Sequence, residues 1–134
     1  MKLQPDKSDT PIISAYGPGW VTIHTLRDGV AQSEKVVSSV VLGARGERLD
    51  WPPLGFEQLN VEHFEQLANL KPELVIFGSG SKIRFAHPSL SASLMRARIG
   101  METMDTLAAC RTYNILAGEG RHVVAALLLG DSGS

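Results

Sequence analysis

The chain has 134 residues, 43% hydrophobic and 20% charged, with a formal net charge of −1, a balance that suits one buried core and excludes wholesale disorder. The near-neutral charge argues against a dedicated nucleic-acid binder, which needs a strongly basic face for phosphate. No apolar run approaches the roughly 18–20 residues that cross a bilayer, so no membrane span is expected.

Residues 1–10, MKLQPDKSDT, are polar and contain Pro5, and they read as a loose arm. They lack the apolar core of a secretion signal and the Arg-rich, acid-poor look of a transit peptide, so the expected location is the cytoplasm. The lone cysteine, Cys110, permits no intramolecular disulfide and fits a reducing compartment. Residues 12–42 look like strands. The run WVTIHTL at 20–26 is β-branched and aromatic, and Asp28-Gly29 after it suits the positive φ angles of a tight hairpin turn. Residues 36–42, VVSSVVL, continue the β pattern. Three glycines and Trp51-Pro52-Pro53 make residues 43–55 loop.

A helix is predicted to start at Val61, with Asn60 as N-cap and Leu59 and Phe64 placed as a hydrophobic staple. Val61, Phe64, Leu67 and Ala68 form its apolar stripe, and Pro72 ends it. Leu74-Val75-Ile76-Phe77 is a continuous apolar run, as expected of a strand buried on both faces. A second helix is predicted from Pro88, with Leu90, Leu94 and Ala97 on one face, Arg96 and Arg98 near its end and Gly100 as terminator. Residues 99–103 read as a strand, 105–117 as a strong helix and 122–129, HVVAALLL, as another buried strand. This alternation implies an α/β fold: a three-layer sandwich whose central sheet is covered by helices and made mixed by the N-terminal β-hairpin. Residues 1–134 read as a single domain between loose termini at 1–10 and 131–134.

The stretch GMETMDTLAACRTYNILAGEGRHVVAALL at 100–128 resembles a widespread family of domains of unknown function. It includes a mitochondrial assembly factor for respiratory complex I and small bacterial and archaeal proteins. The resemblance is carried by Glu102, Met104, Thr106, Ala108, Ala109, Arg111, Thr112, Tyr113, Asn114, Glu119, Gly120 and Arg121. Gly78, Ser79 and Gly80 after an apolar strand, and Trp51-Pro52 after the early strands, match it too. The resemblance implies a three-layer α/β sandwich and assigns no reaction.

Chemistry has few places to sit. Gly78, Ser79, Gly80, Ser81 and Lys82 form a glycine-rich turn at a strand end, where backbone N–H groups can approach an anion. The spacing departs from a phosphate-binding P-loop and from a dinucleotide fingerprint, so a plain tight turn is the competing reading. In the 105–117 helix, Leu116, Ala109, Tyr113, Ala117 and Cys110 fill one apolar sector, and Ala108, Ile115 and Leu107 fill much of the other. Arg111, Thr112 and Asn114 interrupt that surface and need partners. Thr112 can bond back to the Ala108 carbonyl. Asn114 and Arg111 are left to neighbouring backbone, to Glu119 or Glu102, or to a ligand. Cys110 reads as an inert buried thiol. His24, His63, His87 and His122 lack metal-ligand spacing, and neither a metal nor a cofactor is expected.

Two functions follow from different classes. In the first, the domain is a non-catalytic module that binds a protein partner and helps assemble a larger complex. In the second, it is an enzyme or sensor for a small anion, held by Gly78, Ser79, Gly80, Ser81, Arg111, Thr112, Asn114, Glu119 and Arg121. The charge distribution favours an anion over a cation in the C-terminal half, where residues 74–130 hold 6 basic and 3 acidic groups against 7 and 10 in residues 1–73.

Overall fold

The computed structural model describes residues 10–130, so the loose ends expected at either terminus, apart from Thr10, lie outside it. The first three strands are β1 (Ile12–Gly17), β2 (Trp20–Arg27) and β3 (Val30–Val36). They form an antiparallel sheet of their own, in the order β1-β2-β3. Asp28 and Gly29, at φ 51° and 79°, make the two-residue turn between β2 and β3, and Arg27 pairs directly with Val30. Positive φ at both central positions matches the right-handed twist of the flanking strands.

The remaining strands are β4 (Val40–Gly43), β5 (Arg48–Asp50), β6 (Leu74–Gly78), β7 (Gly100–Met104) and β8 (Val123–Leu127). They form a mixed sheet in the order β5-β4-β8-β6-β7. Strands β8, β6 and β7 run parallel, whereas β4 is antiparallel to both β8 and β5. The helices are α1 (Val61–Asn69), α2 (Ala92–Arg96) and α3 (Thr106–Gly118).

The sheet is the middle of three layers. Val41, Val75, Phe77, Val124 and Ala126 pack on one face against Trp51, Phe64 and Leu67 of the α1 side and Leu94 of α2. Val40, Leu42, Ile76, Val123, Ala125 and Leu127 pack on the other against Ala109, Cys110, Tyr113 and Ala117 of α3 and against Ile13, Val21 and Ile23 of the N-terminal sheet. Burial on both faces is why β6 and β8 are unbroken apolar runs. On the α1 side, Trp51, Phe64 and Phe77 meet edge to face with centroids 5.8–6.2 Å apart, the geometry that brings ring edges to ring faces.

Five expectations need correction. Residues 43–55 are not all loop, since Arg48–Asp50 form β5 against β4. The β pattern does not run unbroken over residues 36–42: the chain leaves β3 at Val36 and enters the other sheet at Val40. The break is fixed by Ser39, which is buried, takes the Leu129 N–H on Oγ and the Trp51 N–H on its carbonyl. The mixed character of the central sheet comes from β4 and β5, since the hairpin strands pair elsewhere. Helix α2 begins at Ala92, because Pro88 sits in a preceding turn closed by Leu90 N–H to His87 O. It ends through Arg98 at φ 60° and the Ile99 N–H to Leu94 O bond, while Gly100 already pairs in β7.

Helix α1 starts where expected, with one addition. The Asn60 side chain accepts the His63 N–H at 3.2 Å, and His63 Nδ1 accepts the Asn60 N–H at 3.1 Å, which closes a capping box with an imidazole in the usual place of Glu or Gln. The ring can accept only with Nδ1 unprotonated, and burial holds its pKa below the ordinary 6.5 despite the nearby Glu62.

Two outcomes follow. A folded pKa below the unfolded value means that the unfolded chain binds the proton first, so the His63 contribution is present above about pH 6.5 and is lost as pH falls towards the folded pKa. Urea unfolding between pH 7.5 and 4.5 should show this slope, and His63→Gln, which keeps the box, should flatten it. Val75 and Val124 are fully buried neighbours in β6 and β8. An Asp at either site places an unpaired charge inside the sheet, and soluble expression of Val75→Asp or Val124→Asp should be lost.

Candidate functional site

The turn after β6 is held by hydrogen bonds within the protein. The Ser79 N–H donates to Met104 O at 2.9 Å, and Leu128 N–H donates to Gly78 O at 3.0 Å. The Gly80 N–H donates to Thr106 Oγ1 at 2.9 Å, and that hydroxyl donates to Leu128 O at 2.9 Å. The Thr106 N–H returns to Gly80 O at 2.9 Å. Gly78 lacks a side chain for a packing reason: a Cβ there would sit 3.0 Å from Thr106 Cα and from a Leu127 methyl. Thr106, buried at the first position of α3, was not singled out as a site residue in the sequence, although the resemblance includes it.

Ser79 has a second task. Its hydroxyl donates to Lys82 O at 2.6 Å, with Met104 O 3.2 Å away, and accepts the Arg84 N–H at 3.0 Å. Arg84 then lies over the Phe56 ring and pairs with Glu57 at 3.1 Å. The residues on either side of Arg84 face solvent, Ile83 at 53% and Phe85 at 72% exposure.

On α3, Asn114 and Tyr113 attach the N-terminal sheet. Asn114 Oδ1 accepts the Ile13 N–H and Asn114 Nδ2 donates to Ile13 O, both at 2.9 Å, so the side-chain amide pairs with β1 as a neighbouring strand would. The Tyr113 hydroxyl donates to Pro11 O at 2.7 Å. Burial, with the Glu47 carboxylate nearby, holds the phenol well above its ordinary pKa. Burial also pushes the Cys110 thiol up to about 12, which leaves no thiolate at neutral pH.

The other expected site residues are dispersed. Arg111 is exposed and makes no hydrogen bond or ion pair with another described residue, and Glu119 is exposed at the C-cap of α3. Thr112 is half-buried and does not form the expected bond to the Ala108 carbonyl. Ile115 stands 62% exposed, so the second apolar sector of α3 is only partly covered. Arg121 Nε pairs with Glu73 Oε1 at 2.6 Å, a partner outside α3 and outside its own turn. Arg121 follows the far end of α3, roughly 20 Å from the turn at 78–81 by helix rise alone. Of the nine, Gly80 and Ser81 line a cleft. It measures about 250 Å³ and is completed by Gly17, Pro18, Gly19, Asp105, Thr106, Leu107, Leu128 and Leu129. A further pair went unforeseen: His122 Nε2 lies 2.6 Å from Glu47 Oε2, both side chains largely buried. Its members are 75 positions apart, and nothing local announces it.

Asn114→Ala strands two backbone groups at a sheet edge, and unfolding in urea should show a loss of about 1–3 kcal/mol with faster amide exchange at Ile13. The Arg121–Glu73 pair is about half exposed, so Arg121→Ala should cost less than about 1 kcal/mol in the same assay.

The chain resembles the mouse protein "NADH dehydrogenase [ubiquinone] 1 alpha subcomplex assembly factor 3", with 33% identity over 82 residues, 60% of this chain and 44% of the relative. The curated assembly-factor relatives are thus matched over about half their length. Among solved structures, a crystal structure of a Bordetella parapertussis protein superposes with a TM-score of 0.77 at 31% identity, over 90% of this chain and 96% of that one. A solution structure from Bordetella pertussis, described as an Mth938-like domain, gives 0.75 at 27% identity, over 97% and 93%. Residues 13–128 match the family described as "Protein of unknown function (DUF498/DUF598)", and the chain belongs to that family.

Proposed function

We propose that the chain is a non-catalytic binding module of the complex-assembly kind, working as one domain in the cytoplasm and docking a protein partner through Ile83 and Phe85. The observation that carries this reading is the way Ser79 holds these side chains out. Its hydroxyl donates to Lys82 O and accepts the Arg84 N–H, and the intervening Arg84 is fastened on Phe56 and Glu57. A large aromatic presented on a pre-ordered segment binds with little further ordering cost, which is how interface anchors gain affinity. The assembly role of the similar mouse protein points the same way.

The polar groups of the second reading are mostly engaged elsewhere. Ser79 and Gly80 direct their amides into the protein, and Asn114 holds Ile13. A small anion at the turn would also share the cleft with Asp105, an acidic residue on its lining.

Affinity capture from the native host tests the proposal. The tagged chain and a Val30→Asp control, altered at an exposed position on β3, should retain a common set of partners that an Ile83→Asp/Phe85→Asp variant loses. Identical capture by all three would remove Ile83 and Phe85 from the interface. A melting shift with phosphate, sulfate or nucleotides would favour the anion reading, since a ligand at about 100 times its Kd adds about 2.7 kcal/mol to the native state.

A further inference from the structure

The cleft beside Gly80 occupies a particular place in the sheet. Strands β6 and β7 are parallel neighbours. The chain leaving β6 goes to α2, which packs on one face through Leu94. The chain leaving β7 goes to α3, which packs on the opposite face through Ala109, Cys110 and Tyr113. Connections that diverge to opposite faces open a crevice at the carboxyl ends of the strands, and open α/β sheets place their ligands there. The cleft is lined by the residues just after β6, β7 and β8, and the β1–β2 turn at Pro18 and Gly19 closes its outer side.

The lining selects the chemistry. Pro18, Leu107, Leu128 and Leu129 supply apolar wall. Most donors on the lining are engaged: Gly80 N–H with Thr106, Thr106 N–H with Gly80 O, the Thr106 hydroxyl with Leu128 O and Leu129 N–H with Ser39 Oγ, and Ser81 has a partner as well. Asp105 Oδ1 takes the Ala108 N–H at 3.0 Å, which leaves the other carboxylate oxygen without a partner among the described residues. In the first turn of α3, the Leu107 amide has no partner among the described residues, and an anion reaching for it would meet that carboxylate. The volume, about 250 Å³, is just below the roughly 300–1,000 Å³ of drug-sized sites and admits a single small ring.

We propose that this cleft binds a small molecule with an apolar body and a protonated amine, the amine pairing with Asp105 and the body lying against Leu107, Leu128 and Leu129. This reverses the anion preference suggested by the charge of the C-terminal half. It stands independently of docking through Phe85.

Benzylamine, benzyl alcohol and benzoate, alike in ring and different in charge, test it by amide chemical-shift titration of the isotopically labelled full chain. Benzylamine should give saturable shifts at Gly19, Gly80, Leu107 and Leu129, with benzyl alcohol and benzoate at least about tenfold weaker, as expected for losing a charge-assisted hydrogen bond. Asp105→Asn keeps a competent N-cap, so the fold should hold, and it should weaken benzylamine about tenfold while leaving benzyl alcohol unchanged. Benzoate binding as tightly as benzylamine would overturn the proposal, as would benzylamine shifts indifferent to Asp105→Asn or no saturable shift at those four amides. Should the variant fail to fold, the three-compound series on the unaltered chain decides. The readout is confined to the cleft, so neither result bears on the capture experiment with Phe85.

Discussion

The Thr106 hydroxyl is the joint on which the C-terminal half of this fold depends. It is buried, accepts the Gly80 N–H and donates to Leu128 O, while the Thr106 N–H returns to Gly80 O. One side chain therefore ties the segments after β6 and β8 to the start of α3, and Ser79 N–H to Met104 O adds the end of β7. These strand ends emerge where the sheet stops supplying partners, and each unpaired buried group there would cost about 1–3 kcal/mol. Gly78 makes the joint possible, since a side chain on it would push α3 off the strand.

The same economy of polar groups explains how the second sheet is attached. The N-terminal three strands share no backbone ladder with the central sheet. Their β1 edge meets α3, a helix with no free main-chain groups along its side, and Asn114 supplies the missing donor and acceptor. The edge is thereby blunted against pairing with another chain, a hazard that exposed sheet edges carry. Tyr113 repeats the device one residue earlier by reaching Pro11 O. The motif that marks this family in sequence is, at these two positions, a fastening between layers.

The functional reading follows from what is left over. Ser79, Gly80, Thr106, Tyr113 and Asn114 direct their hydrogen bonds inwards. The thiol of Cys110 is sealed in the core. Facing outwards are Ile83 and Phe85 on a segment that Ser79 holds in place, and a small, partly apolar cleft at the carboxyl ends of the parallel strands with Asp105 on its lining. These are features of recognition, and both lie on connections after β6 and β7, where the sheet is a rigid support for variable loops.

What the sequence determined by itself is the local geometry. Asp28-Gly29 forces a two-residue turn because few other pairs tolerate two positive φ angles, and Asn60 starts α1 because its side chain satisfies an amide three residues on. The unbroken apolar runs at 74–77 and 123–129 required a sheet covered on both faces, and the alternation with helices made two of its strand pairs parallel. Near the proposed sites, the glycine-rich turn at 78–81 was legible as a turn, and Arg111, Thr112 and Asn114 as polar intrusions. Only the tertiary structure decided what they touch. Residues 36–42 carry uniform β propensity, yet two serines let the chain change sheets there, a choice made by Leu129 and Trp51 reaching Ser39 from other elements. Asn114 meets Ile13 across 101 positions, and Thr106 meets Leu128 across 22. Propensity and periodicity act within a few residues of chain, whereas the partner of a buried polar group is set by which layers pack together. The same amide therefore reads equally well as ligand or fastener until that packing is known.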